Sequence, residues 1–191
     1  MSIPVVPRIA RIATKVVVRA GLKQQMPQLL IDACSAAGIG VTTPLAPEPE
    51  SAEYGAWRVG IAGHNVVVRS ARTTPTKIGQ FVTLWKRMEK DIAPLDSADD
   101  VQFAAIHVGD GKQEGWFIVD RAALLAHGVM SRDGAGGKRA LRVYPPWCAP
   151  VARQAVRSQQ WQLNYFVAAG ADDAQRARRL LALFGKTSAT S

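Results

Sequence analysis

Cysteine is nearly absent from this chain: Cys34 and Cys148 are the only two in 191 residues. They stand far apart without metal-ligand spacing, which argues against a zinc site or a disulfide framework. Both read as free thiols in a reducing compartment, packed as small hydrophobes. Histidine is almost as scarce, and His64, His107 and His127 are scattered with no ligand pattern. No apolar run approaches the roughly twenty residues of a membrane span. Of the usual phosphate loops there is no sign, since Gly134 to Gly137 precedes Lys138 without the required order. Carboxylates are missing altogether between Glu53 and Glu89.

What remains is apolar and basic. Apolar residues make up 48% of the chain, enough for a substantial core, and the formal net charge is +9. Such a balance favours a polyanionic partner, and nucleic acid is the commonest large anion. The acid-free stretch Val67 to Arg87 carries Arg69, Arg72, Lys77, Lys86 and Arg87, with Arg58 just upstream. It reads as two strands, around Val66–Val68 and Phe81–Leu84, joined by a loop at Thr74-Pro75.

Three segments are expected. Residues 1–52 form a basic arm, a short helix and a Pro-rich linker; 53–168 form a compact domain; 169–191 form a terminal helix and tail. Met1 to Gln25 has no acid and lacks an unbroken apolar core or a small-residue cleavage site, so a secretory signal is not expected. It fits an amphipathic organelle presequence or a tail that wraps a partner. Helical spacing over Lys23 to Ala37 ends at Gly38, and Gly38 to Ser51 reads as a surface loop. Trp57–Ile61 and Asn65–Ser70 form a hairpin about Ala62-Gly63-His64. Gln80 to Met88 alternates as a strand with Phe81, Thr83, Trp85 and Arg87 on one face, although a helix from Lys77 also fits.

Farther on, Pro94 to Asp100 is an acidic turn, and Val101–Val108 with Trp116–Val119 make a second hairpin. Asp120 caps a helix from Arg121 to His127 that Gly128 ends. A glycine loop, Asp133 to Gly137, leads into a strand from Lys138 to Tyr144. Helices are then expected over Val151–Ala168 and Asp172–Phe184. The order defines an α+β domain: a central mixed or antiparallel sheet flanked by helices.

Two stretches beyond the basic strand pair carry chemistry. Period two puts Lys138, Ala140, Arg142 and Tyr144 on one face of their strand, a set suited to phosphates and a stacked base. One broad face of the following helix holds Gln154, Arg157, Ser158, Trp161, Gln162 and Tyr165, where amides read base edges and rings stack. The rings at this spacing also suit a core. Metal-dependent phosphodiester cleavage needs two or three carboxylates beside a lysine. Few acids are available, and Glu53, Asp100 and Lys86 supply such a set only where their strand ends converge.

The sequence resembles the MepB-like family, a bacterial group, through VRSARTTPTKIGQFVTLWKR (Val68 to Arg87), GKRALRVYPPW (Gly137 to Trp147) and QAVRSQQWQLNYF (Gln154 to Phe166). Glu53-Tyr54 and Gly115-Trp116-Phe117 are weaker matches, and the likeness spans about Glu53 to Val167. The resemblance implies a cytoplasmic α+β domain similar to restriction-endonuclease-like nucleases, with an ability to bind nucleic acid. It also leads one to expect a lysine after Arg-x-Ala, where this chain has Arg72; that change keeps charge without replacing a catalytic lysine.

The leading expectation is a nucleic-acid-binding protein that needs no cofactor. Its surface would combine Arg69, Arg72, Lys77, Gln80, Lys86, Arg87, Lys138, Arg142, Tyr144, Arg157, Trp161 and Gln162. Six engaged phosphates would cost roughly three decades of affinity between 50 and 200 mM salt. The alternatives are a Mg²⁺-dependent nuclease acting through Glu53, Asp100 and Lys86, and a binder of an acidic protein.

Overall fold

The computed structural model describes residues 26–48, 55–89 and 91–185. The basic segment Met1 to Gln25 and the acid Glu53 lie outside them. Among the described residues no helix is long and apolar enough to cross a membrane.

A helix over 26–36 (α1) leads into β1 (Val41–Pro47), β2 (Trp57–Ile61) and β3 (His64–Ser70). Next come β4 (Arg72–Thr74), β5 (Lys77–Thr83), β6 (Trp85–Arg87) and β7 (Ile92–Pro94). β8 (Phe103–Gly109), β9 (Glu114–Asp120), α2 (Arg121–Ala126) and β10 (Ala140–Val143) follow. The chain closes with α3 (Arg153–Gln162), a 3-10 turn at Leu163–Tyr165, β11 (Phe166–Ala168) and α4 (Asp173–Phe184).

The main sheet has six strands in the order β1-β2-β3-β8-β9-β11 and is mixed, because β3 runs parallel to β8 while its other pairs are antiparallel. Alternation along the central strands supplies a core on each face. Val66 and Val68 of β3, Phe103 and Ala105 of β8, and Trp116 and Ile118 of β9 pack with Leu30 and Cys34 of α1 and Leu180, Leu183 and Phe184 of α4. The helices on either side of the expected central domain thus belong to one core with it. Val67, Ala104, Ile106, Phe117 and Val119 face the other way, onto Val82, Leu84, Leu124, Met130 and Val143. Each fully buried valine or leucine contributes about 1.5–3 kcal/mol, so both layers are needed. This is the α+β arrangement expected, a mixed sheet between helices.

A second sheet of three strands, β10-β5-β4, stands apart from the first. Here the strand reading needs correction. Val66–Val68 belongs to the main sheet, and the basic hairpin is β4 with β5, closed at Pro75-Thr76. The strand expected from Gln80 to Met88 starts earlier, at Lys77, and breaks at Leu84, whose N–H donates to Arg139 O at 2.9 Å. The competing helix fails because Gly79 has φ +80°, a value no helix accommodates.

Two further expectations are overturned. Residues 41–47, read as loop, form the edge strand β1; Pro44 and Pro47 disguise it, and prolines are tolerated at an edge. The helix expected to Ala168 stops at Gln162, and Phe166–Ala168 pairs antiparallel with β9. Tertiary pairing there wins over helical spacing. The Asp120 cap is as expected: its carboxylate accepts from Ala123 N at 2.8 Å, and Gly128 follows with φ +60°.

Candidate functional site

β10 is the outer strand of the small sheet, and α3 closes over its free edge. Gln162 makes the join: its Oε1 accepts from Tyr144 N and its Nε2 donates to Arg142 O, both at 2.9 Å. At 2% exposure this amide is a buried clamp, satisfying an edge that would otherwise hold orphan backbone groups. Gln80 plays the same part on the inner side. Its Nε2 donates to Gly109 O (2.6 Å) and Thr73 Oγ1 (3.1 Å), while its Oε1 accepts from Gly109 N (3.2 Å). It fastens the small sheet to the end of β8. Both glutamines, expected on the binding surface, are spent on holding strands together.

Between β10 and α3 lies a cleft of about 730 Å³. Lys138, Arg142, Tyr144, Arg157, Trp161 and Gln162, all expected from sequence, line it together. His127 from the end of α2 completes the wall, and among the described residues no carboxylate lines it. The strand expected from Lys138 to Tyr144 is observed as Ala140–Val143, and Lys138 and Tyr144 flank it on the same cleft, facing the basic side of α3. Arg142 is anchored rather than loose. Its guanidinium donates to Gly79 O (3.1 Å) and Thr74 Oγ1 (2.7 Å), bracing the β4–β5 turn and holding a charge at fixed position. Tyr144 is mostly buried with its ring over Gly79; a Cβ there would come within 2.6 Å of Tyr144 Cδ1. Lys138 and Arg157 are exposed and have no ion-pair partner among the described residues.

The rings are ordered as a ladder. His127 stacks on Trp161 with centroids 4.1 Å apart and planes 8° off parallel, and Trp161 meets Tyr165 edge-on at 6.2 Å. Burial, then the neighbouring Lys138 charge, holds the His127 imidazole below its ordinary pKa, so the ring is neutral at pH 7. Sequence reading passed over His127, because only the fold brings the end of α2 against α3.

The remaining expected residues fall elsewhere. Arg69, on β3, is 2% exposed and bound to Glu48 at 2.6 Å. Burial lowers its pKa while Glu48 keeps it charged, and it cannot reach a phosphate. Lys86 is paired with Asp99 at 2.6 Å. Arg87 is exposed and lies over the Trp85 ring, its guanidinium carbon 5.6 Å from the centroid. Arg72 and Lys77 are exposed on the β4–β5 hairpin. Register sets Arg72, Phe81 and Arg142 in one row across the small sheet, with Phe81 39% exposed.

The expected acidic constellation is not assembled. Asp100 accepts from Asn65 Nδ2 (2.6 Å) and Gln102 Nε2 (3.0 Å), Lys86 answers Asp99 instead, and Glu53 lies outside the described residues. Among the described residues no group of three or more His, Cys, Asp or Glu side chains could hold a metal ion.

Fold and cleft therefore define a class: an α+β protein whose second sheet and third helix enclose a cationic, ring-walled cleft. A family model described as MepB-like matches residues 48–168, and the chain belongs to that family. It is similar to a protein solved as "Crystal Structure of MepB", at 30% identity and TM-score 0.65, over 68% of this chain and 88% of that one. No curated protein matches.

Proposed function

We propose that this protein binds nucleic acid through the cleft between β10 and α3. One observation carries the reading: Lys138, Arg142 and Arg157 share a cleft wall with stacked rings and without a carboxylate. Cations without a counter-charge among the described residues gain from a phosphate backbone by releasing its counterions, and aromatic faces accept bases of any sequence. Lys77 on the adjoining hairpin extends the positive surface. In this reading the protein works in the cytoplasm, where the thiols of Cys34 and Cys148 stay reduced.

Burial of Arg69 and pairing of Lys86 shrink the count of available cations, and the salt dependence shrinks with it. Three phosphates on a single strand predict a loss of roughly twentyfold between 50 and 200 mM salt, well short of the roughly three decades for six. Fluorescence anisotropy with labelled oligonucleotides tests this. The double variant Lys138→Glu/Arg157→Glu should weaken binding by at least about tenfold while keeping the wild-type melting temperature, since both side chains are exposed. Wild-type binding that ignores salt, or a double variant that binds as well, would refute the reading.

A further inference from the structure

His127 reaches the cleft from α2, outside the two basic faces. Its side chain is exposed and makes no hydrogen bond among the described residues, yet it is held flat on Trp161. One face of the imidazole is taken by the indole, and the ring forms part of the cleft wall beside Lys138. A neutral flat ring in a cationic cleft offers a π face and almost no charge. The volume of about 730 Å³ falls in the range that small ligands fill, about 300–1,000 Å³. A duplex keeps its bases stacked on one another, so only an unpaired base brings a free face to such a wall.

We propose that the cleft selects single-stranded nucleic acid, with one unpaired base stacking on the outer face of His127 as the next rung of the His127–Trp161–Tyr165 ladder. Lys138 and Arg157 meet the flanking phosphates, and the anchored Arg142 supplies a fixed positive charge between them. The inference rests on the nucleic-acid reading and adds strand selectivity to it. His127 then acts as a specificity-determining residue contributed by α2, the element outside the two basic faces.

The test is a titration of the full chain with a short single strand, the same strand annealed to its complement, and the matching mononucleotide. The wild type should prefer the single strand over the duplex by about tenfold, the worth of one stacked base. His127→Ala should lose about that factor for the single strand alone, with an unchanged salt slope, because a neutral ring has been removed. His127→Phe should keep the preference, which separates stacking from any general effect of the substitution. Equal affinity for single strand and duplex would overturn the proposal while leaving nucleic-acid binding intact. So would an unaltered His127→Ala, or a mononucleotide that binds as tightly as the strand. Absence of binding by the wild type to all three would overturn both.

Discussion

Arg69 and Arg142 both sit in strands, both follow the pattern of a basic face, and they meet opposite fates. Arg69 lies in the middle of the six-stranded sheet, where Glu48, which also pairs with Arg58, supplies its counter-charge and the carbonyls of Val68 and Trp57 take further donors. Arg142 lies at the outer strand of the small sheet, where its partners are neutral carbonyls and a hydroxyl. Its charge is held in place without being cancelled. In the main sheet a cation is an internal tie; in the small sheet it is potential left over for a ligand. The deciding factor is what the fold brings to each guanidinium, the carboxylate of Glu48 just past β1 in one case and a carbonyl and a hydroxyl of the small sheet in the other.

That contrast is broken most sharply from the main-sheet side. Glu48→Gln strands a buried guanidinium without its counter-charge, and the expected loss is about 3 kcal/mol of folding stability. At the size of this chain that lowers the melting temperature by about 10 °C, measurable by calorimetry. Oligonucleotide affinity, read well below the transition, should not change. A next, smaller effect belongs to the clamp. Gln162→Ala leaves Tyr144 N and Arg142 O buried without partners, costing about 2 kcal/mol. This variant should also weaken binding, because it loosens β10 from α3 and so widens the cleft. A Gln162→Ala protein that melts early but binds normally would separate the clamp from the site.

Part of the cleft was legible because its helical wall obeys a simple period. Helical spacing aligned Arg157 and Trp161, while the expected strand from Lys138 to Tyr144 shortens to Ala140–Val143, so Lys138 and Tyr144 reach the cleft from its flanks. The errors share one cause. Gln80 and Gln162 look like readers of base edges, since an amide pairs with a peptide group as readily as with adenine, and sequence does not reveal which is offered. Arg69 looked available because its partner Glu48 follows β1, a strand that Pro44 and Pro47 made resemble a loop. His127 was invisible for the converse reason. Its value comes from a ring met only in the folded chain, at no spacing that a pattern could report.

Acid should push the two regions in opposite directions. His107 on β8 is held neutral mainly by burial, against the pull of Glu114 on β9, and stands edge-on to Trp116. Its pKa is below the ordinary 6.5, so the unfolded chain takes up the proton first as pH falls. The stability it contributes is present above pH 6.5 and is lost on acidification through its folded value. Below pH 3.8 a second loss begins at Asp96, whose carboxylate is held low by Ser131, Ala98 and Gly134. In the cleft, His127 also charges below pH 6.5, beside Lys138, Arg142 and Arg157, and adds a cation facing the ligand. As pH falls from 7.5 to below 6.5 the melting temperature should therefore fall, while affinity for a polyanion rises once His127 charges. His107→Gln should reduce the first trend, which His127 shares because its pKa is also held low, and leave the second.

The smallest expected effect tests whether the main sheet can be improved without touching the cleft. The β2–β3 hairpin closes on Ala62 and Gly63, both left-handed with φ +53° and +78°. That is the pattern of a two-residue type I′ turn, which favours Asn-Gly because a short polar side chain tolerates the first position better than a methyl group. Ala62 is exposed, so nothing in the packing demands alanine. Ala62→Asn should add about 0.5–1 kcal/mol and raise the melting temperature by about 2–3 °C. Oligonucleotide affinity should remain at the wild-type value, since the turn contributes no residue to the cleft. A shift in affinity would mean that the two sheets are coupled more tightly than Gln80's grip on Gly109 implies.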